Sequence, residues 1–397
     1  MGEFVREQYS IIQSRIAEPR RFIQVIAGPR QVGKTTLVGQ VLRGCDIPYT
    51  QENADNVSPQ DNGWIGRVWQ SARAKMKARQ QASHLLVIDE IQKIDNWSEA
   101  VKREWDQDSR DGLELKVLLL GSSRLLLKKG LTESLAGRFE LIRVPHWSYA
   151  EMRDAFGFSL EQYIYYGGYP GAAPFIGEPA RWKRYIKESL IAPAIEKDII
   201  MTATIYKPAL MQQLFQLGCS YSAEMLSLTK MLGQLQDAGN VTTLANYLAL
   251  LDQGNLLGAL QKYARDTARR YNSVPKYQVY NNALLTAYKG RTMEKDYIDT
   301  SAWGRWVESA VGAHLINRRD ELGYQLHYWS NGNDEVDFVL STVNKCIAIE
   351  VKSGRRGMNS GLPLFSKSFH TDMAFVVGTN GFPLDEFLTT DLSQLLS

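Results

Sequence analysis

The chain has 397 residues, more than one ordinary domain core holds, so we expect two or three domains. The net charge is only +3, with 22% charged residues, which excludes a general nucleic-acid coat and makes any basic surface local. The isolated cysteines Cys45, Cys219 and Cys346 exclude a CxxC zinc motif and indicate a reducing, cytoplasmic setting. No apolar run approaches about 18 residues, so no membrane span and no membrane partner are expected.

Strands alternate with helices in the first part of the chain. A helix over residues 1–20 precedes the buried strand RFIQVIA, and the segment GPRQVGKTT leads into a helix from Thr35 to Leu42. The amphipathic stretch GWIGRVWQSARAKMKARQ precedes two further buried strands, HLLVIDE and LKVLLLGSS, which flank the helical pattern NWSEAVKREWDQDSR. This alternation predicts a parallel sheet covered on both faces.

The segment between the first strand and the second helix matches the pattern G-x-x-x-x-G-K-[ST]. Its glycines let backbone N–H groups converge on phosphates, and the following helix contributes the positive end of its dipole. Lys34 is expected to reach the β- and γ-phosphates of ATP as a catalytic residue, and Thr35 to bind Mg²⁺. The alternative is an ordinary strand-to-helix turn. The predicted nucleotide-binding residues here are Gly28, Pro29, Arg30, Gln31, Val32, Gly33, Lys34, Thr35 and Thr36.

An acidic pair ends the second buried strand, in LLVIDEIQ. In parallel sheets this end of a strand is where ligands bind. Asp89 is predicted to hold Mg²⁺ through water, as a Walker B aspartate does, and to contribute to the nucleotide site. Glu90 is predicted to activate the attacking water as a general base. ATP and ADP are the expected ligands, although a plain acidic strand end remains the alternative.

Polar and basic residues further along could complete this site. Ser122 or Ser123, at the end of LLLGSS, is a candidate sensor of the γ-phosphate, although Gly-Ser-Ser also forms ordinary turns. Arg138 in SLAGRFE is a candidate arginine finger, acting in its own chain or in a neighbouring copy within a homo-oligomer. Arg124 competes for that role, and a solvated surface arginine is the alternative.

Helical periodicity dominates residues 148–260, and three short patterns beginning at Pro208 fit a helix-turn-helix. Thr242, Thr243 and Asn246 would lie near the start of its recognition helix. A basic segment follows over residues 262–276, and as the wing of a winged helix it would contact DNA phosphates. Packing against protein, or a solvated charged face, are the alternatives. Its basic residues are Lys262, Arg265, Arg269, Arg270 and Lys276, with Tyr263 and Tyr271 interleaved.

The stretch EVDFVLSTVNKCIAIEVKSG predicts two strands joined by a short turn. Asp337 opens the first strand, and Glu350 and Lys352 share one face of the second. This arrangement matches the D…(D/E)xK pattern of restriction-type nucleases, with Asp337 and Glu350 as Mg²⁺ ligands and Lys352 activating water. Glu308, in the preceding helix, could turn toward them as a further catalytic residue. A charged sheet face with a salt bridge, or a nuclease-like fold that binds DNA without cutting, are the alternatives.

With these motifs the chain resembles the predicted AAA+ superfamily ATPases of bacteria and archaea. The matching stretches, in order, are GPRQVGKTTL, LLVIDEIQKIDNW, LLLGSSRLLL, SLAGRFELIRV, YYGGYPGA, AIEKDII and EVDFVL…IEVKSG. The resemblance implies an N-terminal P-loop domain, a winged-helix-like segment and a nuclease-like module. It assigns no biological role.

The predicted fold is α/β: an AAA+-like P-loop NTPase with a parallel sheet, a helical and winged-helix middle, and a C-terminal restriction-endonuclease-like α/β domain. The predicted function is Mg²⁺-dependent ATP hydrolysis coupled to DNA binding or processing. The alternatives are a nucleotide-dependent switch that binds protein partners or DNA without cleavage, and a P-loop kinase, against which Glu90 counts. The predicted domains are 1–147 (ATPase), 148–208 (helical lid or linker), 209–290 (winged-helix-like) and 291–397 (PD-(D/E)XK nuclease-like).

Overall fold

The structure is a computed structural model that describes residues 4–121, 131, 134–200, 205–236, 239–264, 266, 273–354 and 361–397. The chain divides into two compact units. The first contains Met1–Pro145 together with Lys197–Thr202, and the second contains His146–Glu196 and Ala203–Ser397. None of the described helices has the length and apolar character that crossing a bilayer requires.

The first unit is built on a five-stranded parallel sheet with strand order β2-β3-β4-β1-β5. Its strands are β1 (Ile23–Ala27), β2 (Tyr49–Asn53), β3 (His84–Asp89), β4 (Leu115–Gly121) and β5 (Phe139–Arg143). Its helices are α1 (Gln8–Ala17), α2 (Lys34–Arg43), α3 (Trp64–Ala78) and α4 (Trp97–Asp111), with 3-10 turns at Ala54–Asn56 and Ile91–Lys93. Every residue of β1 and β3 is buried, as expected for strands covered on both faces.

The predicted parallel sheet is confirmed, and its three central strands were found from sequence. β2 and β5 were missed. Both lie at the edges of the sheet, where one side of a strand has no partner strand. Their sequences, YTQEN and FELIR, are partly polar and partly exposed, so they lack the continuous apolar run that identified the central strands.

Three tryptophans join the aliphatic side chains in the core of the first unit. Trp69, Trp97 and Trp105 pack in one buried cluster with residues of β1, β3 and β4. The Trp69 indole N–H donates to Oδ2 of Asp108 over 2.7 Å, so its polar atom is paired as well as buried. This packing holds the strand ends, and the loops that follow them, in fixed positions.

The second unit contains a six-stranded mixed sheet with strand order β11-β10-β9-β8-β6-β7. Its strands are β6 (Leu257–Lys262), β7 (Lys276–Val279), β8 (Gln325–Asn331), β9 (Asp334–Ser341), β10 (Cys346–Lys352) and β11 (Met373–Gly378). β6 pairs parallel with β8, and β10 pairs parallel with β11; the other pairs are antiparallel.

Helices make up most of the remainder of the second unit. They are α5 (Tyr149–Phe156), α6 (Leu160–Tyr166), α7 (Pro179–Arg184), α8 (Pro208–Ser220), α9 (Leu228–Leu232), α10 (Val241–Gln253), α11 (Asn282–Ala287), α12 (Met293–Ile298), α13 (Thr300–Leu322), α14 (Gly361–Ser368), α15 (Leu384–Phe387) and α16 (Ser393–Leu396). A 3-10 helix lies at Pro170–Phe175, and a π-helical turn lies at Tyr185–Ile191. A further π-helical turn, Ala194–Ile200, begins in the second unit and continues into the Lys197–Thr202 segment of the first.

The basic segment predicted to form a DNA-binding wing, residues 262–276, begins at the last residue of β6 and ends at the first residue of β7. These two strands belong to the same sheet as the four C-terminal strands, so the sheet crosses the predicted boundary at residue 290. Lys276 was expected to face DNA, but its side chain is buried within the second unit, which corrects that expectation. Thr242 and Asn246, at the start of α10, are exposed as expected, and Thr243 is half-buried.

Candidate functional site

The loop between β1 and α2 holds the segment predicted to bind phosphates. Gln31 and Gly33 have φ angles of 62° and 84°, which turn the backbone sharply before α2 begins. At Gly28 a Cβ atom would lie 2.1 Å from the carbonyl oxygen of Val144, so only glycine fits there. The loop is therefore packed against the chain that leaves β5. Pro29 and Val32 are buried, and Gln31, Thr35 and Thr36 are exposed.

Lys34 is the first residue of α2, and its side chain is buried, with 7% exposed. The ammonium group donates to the carbonyl oxygen of Gly28 at 3.0 Å and to that of Pro29 at 2.7 Å. Burial lowers the pKa of Lys34 to about 8, although the carboxylates of Glu90 and Asp89 oppose this shift. Phosphate oxygens would supply the negative charge that favours the ammonium form.

Thr35 and the acidic pair meet at the carboxyl edge of the sheet. The Thr35 hydroxyl donates to Oδ2 of Asp89 over 2.8 Å, and the Glu90 backbone N–H donates to Oδ1 of Asp89 over 2.8 Å. Glu90 has a φ of 51°, and the Gln92 amide donates to its Oε2 over 2.5 Å. Hydroxyl and carboxylate oxygens are ligands that Mg²⁺ prefers, so Thr35 and Asp89 fit a metal bound with ATP, directly or through water.

Two arginines, one outside the loop and one within it, form further contacts here. Nη1 of Arg6, a buried side chain of the N-terminal segment, donates to the carbonyl oxygen of Val32 at 3.2 Å and to that of Pro145 at 3.1 Å. Arg30 binds Asp198 through both its Nε and its Nη2, at 2.6 Å and 2.7 Å. Neither Arg6 nor Asp198 was found from sequence. Arg30, the partner of Asp198 in this ion pair, lies 168 residues away, and no local pattern indicates such a contact.

Arg138, the candidate arginine finger, lies at the amino ends of the strands. The phosphate-binding loop lies at their carboxyl ends. Its carbonyl oxygen accepts from the N–H of Ile23 at the start of β1, whereas the loop follows the end of that strand. A strand of this length spans roughly 16 Å. Its guanidinium also pairs with Asp106, at 2.8 Å and 3.1 Å. Arg138 therefore cannot contact a phosphate in its own chain, which corrects that option. Ser122, Ser123 and Arg124 lie outside the described residues.

A second charged group surrounds Lys276 in the second unit. The Lys276 side chain is 1% exposed, and its Nζ lies 2.5 Å from Oε1 of Glu308. The same atom lies 3.0 Å from Oε1 of Glu335 and 3.4 Å from Oδ1 of Asp337. Burial alone would lower the pKa of Lys276, but these carboxylates outweigh it and raise that pKa. Burial and the Asp337 carboxylate raise the pKa of Glu308. The predicted residues Glu308 and Asp337 thus meet around a buried ammonium.

Glu350 and Lys352 form a separate ion pair on β10. The Lys352 Nζ lies 2.6 Å from Oε1 of Glu350, whose carboxylate is buried. Asp337 reaches the same strand, since its Oδ2 accepts from the Val351 N–H over 2.7 Å. Within the part of the chain that the structure describes, no group of three or more His, Cys, Asp or Glu side chains is arranged to hold a metal ion. Lysine ammonium groups instead pair with the carboxylates predicted as metal ligands.

Sequence reasoning missed Glu335 and assigned Lys276 to the wrong surface. Glu335 precedes Asp337 by two positions on β9, so the alternation in DEVDF already placed both on one face. No comparable signal exists for Lys276. It stands beside basic residues in sequence, and its acidic partners come from α13 and β9, which follow it in the chain.

Family models match three successive parts of the chain. Residues 20–153 match a family described as an AAA domain. Residues 157–295 and 303–389 match two families that are each described as a domain of unknown function. The first match covers the loop, Lys34, Asp89 and Glu90, and supports ATP binding and hydrolysis in this part of the chain.

The chain is similar to uncharacterized proteins of bacteria and archaea. The chain is 25% identical over 360 residues to the uncharacterized protein Rv2008c of Mycobacterium tuberculosis, covering 88% of this chain and 75% of that protein. The same values hold for the uncharacterized protein Mb2031c of Mycobacterium bovis. It is 22% identical over 345 residues to the uncharacterized protein MJ1544 of Methanocaldococcus jannaschii, covering 81% and 73%.

Among solved structures, one described as "Structural Basis for Katanin Self-Assembly" is 20% identical, with a TM-score of 0.26. The similarity covers 38% of this chain and half of that one. A score this low gives no information about the activity or assembly of this chain.

The lowered pKa of Lys34 predicts how nucleotide affinity depends on pH. Only the protonated amine attracts phosphates, so the affinity for Mg²⁺·ATP should fall as the pH rises above about 8. The fall should reach about tenfold per pH unit. The contribution of Lys34 to the free energy of unfolding should have the opposite pH dependence and rise as the pH rises. The folded-state pKa lies below the unfolded value, so the cost of burying the ammonium is present below pH 8 and is relieved as the pH rises toward 10.5.

Titration calorimetry at fixed excess Mg²⁺, from neutral pH upward, would measure this dependence. Lys34→Arg is the matched control, because a guanidinium stays charged throughout. That variant should lack the fall, even if its affinity is weaker at every pH. An equal fall in the variant would contradict the role given to Lys34.

The buried charge of Lys276 predicts a metal-dependent stability in a variant that lacks it. Lys276→Ala leaves the carboxylates of Glu308, Glu335 and Asp337 without their ammonium, so the free energy of unfolding should fall by about 3–5 kcal/mol. Added Ca²⁺ or Mn²⁺ should recover a large part of this loss, since the vacated space is lined by carboxylate oxygens.

Urea denaturation with and without the cation would measure both effects. Lys352→Ala provides the control, because its partner Glu350 is a single carboxylate. We expect a smaller loss there and no recovery with metal. If the cation stabilised wild type and Lys276→Ala equally, the ammonium would not be what occupies the carboxylate cluster.

Proposed function

We propose that this protein is an Mg²⁺-dependent ATPase. The main support for this proposal is that four side chains converge at the carboxyl ends of the strands: Lys34, Thr35, Asp89 and Glu90. The Lys34 ammonium would bind the β- and γ-phosphates, and Thr35 and Asp89 would hold Mg²⁺. The metal would neutralise charge on the phosphate oxygens. Glu90, held through its Oε2 by the Gln92 amide, would orient and deprotonate the attacking water.

A water-activating carboxylate favours hydrolysis over transfer of the phosphoryl group to another substrate. A kinase would need a second substrate hydroxyl at the position where Glu90 would hold water. The P-loop kinase alternative is therefore the weaker one. Since Arg138 cannot reach the phosphates of its own chain, a homo-oligomer in which it reaches a neighbour's site is the arrangement that would give it a catalytic role.

Substitution of Glu90 tests whether it acts as the general base while Lys34 binds the phosphates. Glu90→Gln should lower ATP turnover by about 100-fold or more, because the general base is lost while the binding groups remain. Its affinity for ATP should stay close to wild type, whereas Lys34→Ala should lose both binding and turnover. Phosphate release and equilibrium binding measure the two quantities. Glu52→Gln, an acidic residue on the edge strand β2, is the control and should change neither. Turnover that survives Lys34→Ala in a folded protein would refute the ATPase.

We further propose that the second unit binds a partner without cutting it, with DNA as the first candidate. This proposal favours the non-cleaving alternative over the nuclease. Its support is the position of Lys276, whose ammonium contacts Glu308, Glu335 and Asp337 where a nuclease would need Mg²⁺. The second lysine, Lys352, pairs with Glu350 in the same way. The basic residues between β6 and β7 would provide phosphate contacts. They are Arg265, Arg269 and Arg270, and all three lie outside the described residues.

Binding and cleavage can be separated with supercoiled plasmid and short duplexes. We expect wild type to retard DNA in a gel, with an affinity that falls steeply with salt, and to leave it intact in Mg²⁺ or Mn²⁺. Asp337→Asn should change neither result. Nicking that Asp337→Asn abolishes would overturn the non-cleaving proposal. Absence of DNA binding with ATP, with ADP and without nucleotide would remove DNA and leave protein partners.

A further inference from the structure

The phosphate-binding loop carries a second positive side chain, Arg30, which is held by a carboxylate. Its Nε and Nη2 bind the two carboxylate oxygens of Asp198 at 2.6 Å and 2.7 Å. The side chains are 26% and 14% exposed, so the pair is largely shielded from water. Although burial lowers it, the pKa of Arg30 is raised overall by Asp198, Glu90 and Asp55. The guanidinium is therefore charged and already has a strong bidentate partner.

Asp198 belongs to a short segment that is assigned to a different compact unit from the residues on either side of it. Lys197–Thr202 belongs to the first unit, whereas the residues before and after it belong to the second unit. Asp198 itself lies in the π-helical turn Ala194–Ile200. The ion pair thus joins the phosphate-binding loop to a short segment of the first unit that has residues of the second unit on both sides of it in sequence. A change at Arg30 would be transmitted to this segment directly.

Phosphate and carboxylate present similar paired oxygens to a guanidinium, so a phosphate near Arg30 would compete with Asp198 for the same face of the side chain. Arg30 lies in the loop between Gly28 and Gly33, whose backbone is predicted to surround the phosphates. Besides burial, which has the largest effect, Asp198 raises and Arg30 lowers the pKa of Lys34. Both charges therefore act on the group that would bind the β- and γ-phosphates.

We propose that the Asp198 carboxylate competes with the γ-phosphate of ATP for the Arg30 guanidinium. ATP transfers Arg30 from the Asp198 carboxylate to the γ-phosphate and frees the segment 197–200, whereas ADP leaves the pair intact. Asp198 is thus a positioning residue that makes the segment 197–200 respond to the third phosphate. This inference rests on the proposed ATP site and adds to it the element that reports nucleotide state.

Nucleotide affinities of the full-length protein test the competition. Asp198→Asn should tighten binding of a non-hydrolysable ATP analogue by about threefold to tenfold, since Arg30 no longer has to leave a carboxylate. Binding of ADP should change by less than about twofold on the same scale. Arg30→Gln should weaken binding of the ATP analogue more than that of ADP, and the two substitutions should be strongly non-additive.

Asp55→Asn is the matched control for charge alone. The Asp55 carboxylate also acts on Arg30 but pairs with Lys93, so its removal lowers negative charge near the loop and keeps the Arg30–Asp198 pair. The ratio of ATP-analogue to ADP affinity should stay at the wild-type value in this variant. A purely electrostatic effect would instead change that ratio in both aspartate variants and would overturn the competition.

Hydrogen exchange of residues 194–200 reports directly whether this segment is released, which affinity measurements do not show. In wild type the ATP analogue should speed exchange in this segment at least severalfold relative to ADP, and in Asp198→Asn exchange should be fast with either nucleotide. If wild type binds the analogue but neither the affinity ratio nor the exchange rate responds to Asp198→Asn, the inference fails and the ATP site stands. If wild type binds no nucleotide, both fail.

Discussion

The first unit depends on the burial of one ammonium group at the start of α2. Lys34 is fixed by two carbonyl oxygens of its own loop, so the loop is formed around a positive charge in the folded chain. Lys276 shows the opposite arrangement, because three carboxylates lie within 3.4 Å of its Nζ. Burial therefore lowers the pKa of the first lysine, while the carboxylates raise that of the second. One buried charge is suited to an incoming anion, and the other is already compensated.

Strand register decides which side chains can cooperate with Lys34. Ala27 of β1 is paired with Gly121 of β4, and Ile88 of β3 with Leu119, so the carboxyl ends of these strands are aligned. The acidic pair at the end of β3 then lies two strand spacings, about 10 Å, from the start of the loop. Thr35 bridges this gap through its bond to Asp89. The same register places Arg138 beside the opposite end of β1.

What the sequence predicted correctly rests on short-range patterns. The loop, the acidic strand end and the two strands in EVDFVLSTVNKCIAIEVKSG each have a period or a motif within about 20 residues. The contacts that it did not predict join distant parts of the chain. Asp198 meets Arg30 across 168 positions, and Lys276 meets Glu335 across 59. The positive charge of Lys276 also led to the wrong prediction that it is exposed. Its burial depends on the strand order of the sheet, which the local sequence does not determine.

The pairing of β6 with β8 has a consequence for dissecting the second unit into fragments. A fragment that begins at residue 291 would lack β6 and β7, two of the six strands of its sheet. The edge of β8 would then present unpaired N–H and carbonyl groups, which favours association between copies through strand addition. It would also carry the carboxylates of Glu308, Glu335 and Asp337 without Lys276. Such a fragment is expected to aggregate at neutral pH, and one that begins before β6 keeps both the edge protection and the charge balance.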